Sequence, residues 1–216
     1  MAKSLKELTG RGSVWPTLVK EFGRSSVEVD ILPVNQALAE EAVQTVQIST
    51  RSDFGAVLYQ SGGLLIDYGW VRVLGSGGNT LRGLIEWNRG KTINEQGEVA
   101  AGSLFIADDV LGGLFAINGN GVLGQDVGNV YYLAADKDAW EPLKLGYSDF
   151  IHFLISPHLA DFYAPFRFDG WQDAIKELTP DQVWRFDGEA ENVIASRTAV
   201  EIEQWFLELT APDQES

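Results

Sequence analysis

The chain has no cysteine among its 216 residues and only two histidines. That removes disulfides, thiolate nucleophiles and cysteine-based zinc or iron–sulfur sites together, and leaves little imidazole for acid–base work. Basic residues are also scarce: 16 Lys and Arg stand against 31 Asp and Glu, a formal net charge of -15. Such a field repels nucleic acid and anionic lipid. No run approaches the ~18 apolar residues that suggest a membrane span, and the opening MAKSLKELTGRGSVWP lacks the apolar stretch of a secretory signal. The expectation is a cytoplasmic protein that binds neither nucleic acid nor membrane, with no motif that calls for a cofactor or metal ion.

What is present is a large apolar complement, 45% hydrophobic and 11% aromatic, enough to bury one substantial core. The charge is unevenly spread. Residues 1–103 hold 10 Lys/Arg and 11 Asp/Glu, whereas residues 104–216 hold 6 and 20. Acidity can serve solubility alone. It also speeds encounter with a basic protein, which is the partner this composition favours, and a homodimer is the other association to consider.

Along the chain, Ser4-Leu5-Lys6-Glu7 has capping-box spacing and predicts a short helix. Pro16 suits the first turn of a second helix through Phe22, and Val27 to Leu32 alternates like a strand. Asn35 to Val46 reads as an amphipathic helix with Leu38, Ala42 and Val46 inward, and Ser52 or Asp53 caps another through Tyr59, ended by Gly62-Gly63. Leu64 to Leu74 reads as one strand bent at Gly69, and Leu81 to Trp87 and Leu104 to Ala107 as short β-type or connecting runs. Leu114–Asn118 and Val130–Ala134 form a strand pair across a glycine-rich turn.

Ser148 starts a helix interrupted by Pro157, with a second run through Tyr163. Gly170–Leu178 is helical in pattern, Thr179-Pro180-Asp181 starts a further turn, and Thr198 to Glu201 repeats the capping-box spacing before the stripe Ile202, Trp205, Phe206, Leu209. The last residues, APDQES, look disordered.

No catalytic motif stands out. Gly75-Ser-Gly-Gly is followed by Asn79-Thr80 where a P-loop needs Lys and Ser or Thr, so its glycines read as turn residues. Asp108 and Asp109 close an apolar run, where paired carboxylates can hold a cation or move protons, but adjacent strand residues point to opposite faces. His152 and His158 have no triad partners and read as surface residues. The candidate binding residues are Trp70, Arg72, Trp87, Asp108, Asp109 and Trp140, each at or near a strand end. Most of the seven tryptophans are expected in the core, with one or two exposed. A rival enzyme reading uses Asp108, Asp109 or Asp67 as working carboxylates and Arg72 or Arg82 as an anion contact.

The stretch Gly62-Gly-Leu-Leu-Ile-Asp-Tyr-Gly-Trp-Val-Arg-Val-Leu-Gly-Ser-Gly77, with Trp87-Asn88, Leu104-Phe-Ile-Ala-Asp-Asp-Val-Leu-Gly-Gly-Leu-Phe-Ala-Ile-Asn-Gly119 and Leu145-Gly-Tyr-Ser-Asp-Phe150, resembles a bacterial domain-of-unknown-function family, number 2625, over about residues 35–207. That family has no established activity. Its layout also resembles the SUKH superfamily, many of whose members are immunity proteins that neutralise toxins. The resemblance implies an α+β fold: a twisted, mostly antiparallel sheet flanked by N-terminal and C-terminal helices. Length predicts one domain over 1–216, and because the chain is longer than a minimal immunity domain of that superfamily, 170–216 is expected to be a family-specific helical extension. The functional expectation is a non-catalytic, toxin-immunity-like or regulatory protein-binding module; a carboxylate-dependent hydrolase or transferase and a structural homo-oligomer are the alternatives.

Overall fold

The computed structural model describes residues 2–99, 102–121, 123–186 and 197–210. Two short helices come first, α1 (Leu5–Thr9) and α2 (Trp15–Phe22). The Glu7 carboxylate accepts from the Ser4 N–H at 2.8 Å, as the capping-box spacing predicts. After β1 (Val29–Leu32), the Asn35 side chain caps α3 (Gln36–Val46) by accepting from the Ala37 and Leu38 N–H groups. The buried stripe of α3 is Ala39, Ala42 and Val43, so the helix is rotated from the predicted face and Leu38 is exposed. Small residues at that contact, with Ala56 on α4 (Asp53–Gln60), let the two helix backbones approach closely.

The seven-stranded sheet is wholly antiparallel, and its spatial order is its chain order. It runs β1, β2 (Gly63–Ile66), β3 (Val71–Leu74), β4 (Ser103–Asp109), β5 (Leu114–Asn118), β6 (Asn129–Leu133) and β7 (Glu141–Gly146). The predicted strand over Leu64–Leu74 is in fact the β2–β3 hairpin. Asp67, Tyr68 and Gly69 turn the chain at φ of 53°, 63° and 86°, a left-handed run that sequence patterns assign to Asn and Gly rather than Tyr. Tertiary contacts hold it: Asp67 pairs with Arg167, and Tyr68 packs edge-on against Trp171. Leu81–Trp87 is likewise not a strand, because Leu84–Asn88 forms α5.

Register fixes the two faces of the sheet. Ala107, Phe115 and Tyr132 share one, where Phe115 meets Phe150 of α6 (Tyr147–Leu154). Arg72 and Asp108 share the other. A bulge between Phe105 and Ala107 switches Phe105 to the second face, where it meets Trp87 and Phe206. The glycine loop after β3 is a packing device: a Cβ on Gly75 would lie 2.5 Å from the Gly63 nitrogen.

The C-terminal part is less helical than predicted. After α7 (His158–Tyr163) and α8 (Trp171–Ile175) come two paired strands, β8 (Gln182–Phe186) and β9 (Arg197–Glu201), and then α9 (Ile202–Leu209). Thr198 lies inside β9, so the second predicted capping box does not form; strand pairing with β8 takes its backbone instead. Val183 and Trp184 are buried in the common core, and the Trp184 N–H donates to the Val110 carbonyl at 2.7 Å. Residues 211–216, expected to be disordered, lie outside the described residues. No helix among the described residues is long and apolar enough to cross a membrane.

Candidate functional site

Alternation along β4 sends Asp108 and Asp109 to opposite faces of the sheet, and neither reaches solvent: they are 1% and 0% exposed. Asp108 lies directly across from Arg72 of β3 and forms an ion pair with it. Its other oxygen accepts from Arg82, which enters from the loop before α5. Arg82 continues to Asp181 at 2.8 Å and stacks over the Trp87 ring at 4.3 Å. Arg72 also donates to the Asp109 carbonyl at 2.9 Å and to the Gln182 carbonyl. One buried carboxylate is therefore gripped by two guanidiniums, and the chain of charges ties the sheet to the segment leading into β8. Both carboxylate oxygens face guanidiniums, which leaves little room for a substrate.

On the other face, Asp109 Oδ2 accepts from the Tyr132 and Tyr163 hydroxyls at 2.7 and 2.8 Å, and Oδ1 from the Leu111 and Gly113 N–H groups at 2.9 Å each. Burial pushes the Asp109 carboxyl above its ordinary range, and the tyrosine and backbone hydrogen bonds oppose that rise. Burial also drives both phenols far above their ordinary value, with the Asp109 charge adding to it. A Cβ on Gly113 would lie 2.4 Å from the Tyr132 oxygen, so the space around this carboxyl is filled by the protein itself.

Of the six candidate binding residues, Trp70, Arg72, Trp87, Asp108 and Asp109 are buried, and Trp140 is half-buried against Phe105. The structure joins Arg72 to Asp108 directly and brings Trp87 to them through Arg82. Trp70 sits apart, among Tyr163, Trp171 and Trp184, and Trp140 is at the far end of Phe105. None of the seven tryptophans is exposed, so the expected exposed one or two are absent: Trp15 packs on Phe22 within α2, and Trp70, Trp87, Trp140, Trp171 and Trp184 are each in ring contact with another aromatic side chain. Asp67, the third carboxylate of the enzyme reading, is spent on Arg167. Both histidines are exposed, at 50% and 78% of their side-chain surface. Sequence reasoning missed Tyr132, Tyr163 and Asp181; an ionisable side chain within an aromatic run was the only signal for the tyrosines.

Among the described residues, two of the surface clefts adjoin the sheet. One, of about 510 Å³, lies between the end of α5 and α9; there Lys91 sits 4.1 Å over Trp87 and pairs with Glu203 at 2.9 Å. The other, of about 490 Å³, lies between Leu32–Gln36 and Gly78–Leu81. Neither contains the buried carboxylates. No group of three or more potential metal ligands occurs among the described residues.

Fold and site together define an α+β protein whose central sheet encloses two internal polar networks. The chain belongs to the family described as protein of unknown function DUF2625, whose model matches residues 5–202 and so extends through β8 and β9. It is 38% identical over 186 residues to an uncharacterised protein of Haemophilus influenzae, covering 85% of this chain and 81% of that one. It is 39% identical over 175 residues to the uncharacterised protein YbfG of Escherichia coli, covering 81% and 78%. No solved structure matches.

Proposed function

We infer that this protein is a non-catalytic protein-binding module that recognises a basic partner. The observation that carries the reading is the disposition of its acid. The three carboxylates offered for chemistry are turned inward and paired, whereas Asp136, Asp138, Glu141, Asp149, Asp161 and Asp173 are exposed. Inward carboxylates saturated by guanidinium, phenol and backbone donors have no role in turnover, while outward ones raise the encounter rate with a cation-rich protein surface. A toxin-immunity or regulatory role of the SUKH type suits this arrangement, since a nuclease must be basic to hold its substrate. The rival carboxylate-dependent hydrolase or transferase requires Asp108 and Asp109 to converge in an open pocket, and they lie on opposite faces of a strand.

The test is retention of proteins from cells on the immobilised chain at low salt, repeated at high salt, with mass spectrometry of the eluate. A basic protein held in stoichiometric amount and released by salt is the expected result. Retention of no protein, combined with turnover of a small molecule by the purified chain, overturns it.

A further inference from the structure

The seven-stranded sheet has two edges, and they are treated differently. At β7, Pro142 removes a backbone donor, Lys144 takes a left-handed φ of 59°, and a register shift between Val130 and Tyr131 bulges the pairing. Proline, lysine and bulges are the devices by which an edge strand is closed to further pairing. β1 has no proline, lysine or bulge; it is short, four residues, and its one exposed charge is the acidic Asp30. Its register against β2 is unbroken from Val29↔Ile66 to Leu32↔Gly63, and its first proline, Pro33, comes after the strand.

The Asp67 N–H donates to the Glu28 carbonyl at 2.8 Å, which sets the antiparallel phase: Glu28, Asp30 and Leu32 bond inward to β2. The N–H and C=O groups of Val29 and Ile31 therefore point away from the sheet, and no described residue bonds to them. Their side chains are half-buried, while Glu28 and Asp30 are exposed. Glu28 and Asp30 are the exposed charges along this edge, and Asp30 is the one inside the strand. The cleft of about 490 Å³ is lined by Leu32 and the residues that follow β1, Pro33 to Gln36.

We propose that β1 is a docking edge for an extended, basic segment of a partner protein, which adds as an eighth strand and runs into the cleft beyond Leu32. The inference rests on the reading of the protein as a binder of basic partners and assigns the place of binding. Charge selects the occupant. In a self-pairing of two β1 edges centred on Asp30, Asp30 would face Asp30 of a second copy, and like charges directly opposed are destabilising; centred on Ile31, Asp30 would face Leu32 and find no counter-charge. A lysine- or arginine-bearing strand meets the same position favourably. Main-chain bonds to Val29 and Ile31 give affinity, and alternate side chains reach Asp30 and the cleft.

The test uses a blocked six-residue peptide of alternating valine and lysine, titrated into the full chain at low salt and followed by backbone amide NMR. Shifts concentrated at residues 29–36 and 78–81 are expected. Asp30→Lys, an exposed change that leaves the fold intact, should weaken the peptide roughly tenfold. Ile31→Pro, which removes an outward donor, should abolish the shifts. The same peptide N-methylated on alternate amides should not bind. Equal binding of the methylated peptide, shifts elsewhere, or no binding overturns the edge assignment. A basic protein retained equally by the chain and by Asp30→Lys places docking elsewhere and leaves the partner class standing; absence of any basic partner overturns the broader reading instead.

Discussion

Asp108→Ala is the perturbation that most sharply tests the internal charge network. The change removes the one carboxylate between Arg72 and Arg82, whose side chains are 2% and 8% exposed, and leaves two guanidiniums facing each other inside the protein. Stranding buried charge in this way costs about 3–5 kcal/mol. With a urea dependence of about 2–3 kcal/mol per M for a chain of this size, the unfolding midpoint should fall by roughly 1–2.5 M. Two controls fix the interpretation. Asp181→Asn removes the outer, 41% exposed partner of Arg82 and should cost less than about 1 kcal/mol. The triple change Arg72→Met, Asp108→Leu, Arg82→Met replaces the ions with apolar groups and should recover most of the loss. Urea unfolding followed by tryptophan fluorescence and circular dichroism reads all three. A cost below about 1 kcal/mol for Asp108→Ala would refute the reasoning, because it would mean that the arginines find water and the network is not closed.

Asp109 makes a pH-dependent prediction. Burial raises its carboxyl above the unfolded value, so the folded chain keeps that proton to higher pH; the associated stability is full below about pH 4 and is lost as pH rises through the raised value. Asp109→Asn should therefore gain on the parent chain as pH rises from about 4, measured by urea titration at a series of pH values; a constant difference would contradict it. Gly113→Ala should cost about 1–3 kcal/mol, since its methyl meets the Tyr132 oxygen and Asp109; thermal unfolding checks this. Trp140→Ala should cost about 2 kcal/mol, below the full core value, because Trp140 is only half-buried on Phe105. If Trp140 instead anchors a partner, stability stays level and association weakens.

Local signals were the legible ones. The Ser4–Glu7 box, Pro16, the periodicity from Asn35 to Val46 and the separate β5 and β6 runs are each local patterns, and each element formed where its pattern lies. The β2–β3 turn was illegible because Tyr68 is held left-handed by Trp171, which lies far along the chain. β7 was hidden by Pro142, tolerated only because the strand is an edge. Thr198 has capping chemistry, yet pairing of β9 with β8 overrides it. At the site, alternation did place Asp108 and Asp109 on opposite faces. Their burial was not legible, because it depends on Arg82 and Tyr163, respectively 26 and 54 residues away. Separations of that size leave no mark on local pattern.

The central claim, recognition of a basic partner by an acidic surface, is tested most directly by the affinity for the retained partner across a range of ionic strength. The account predicts a steep fall in association rate and affinity as salt rises, with dissociation changing less. Affinity independent of salt would contradict it and point to an apolar interface or a neutral ligand.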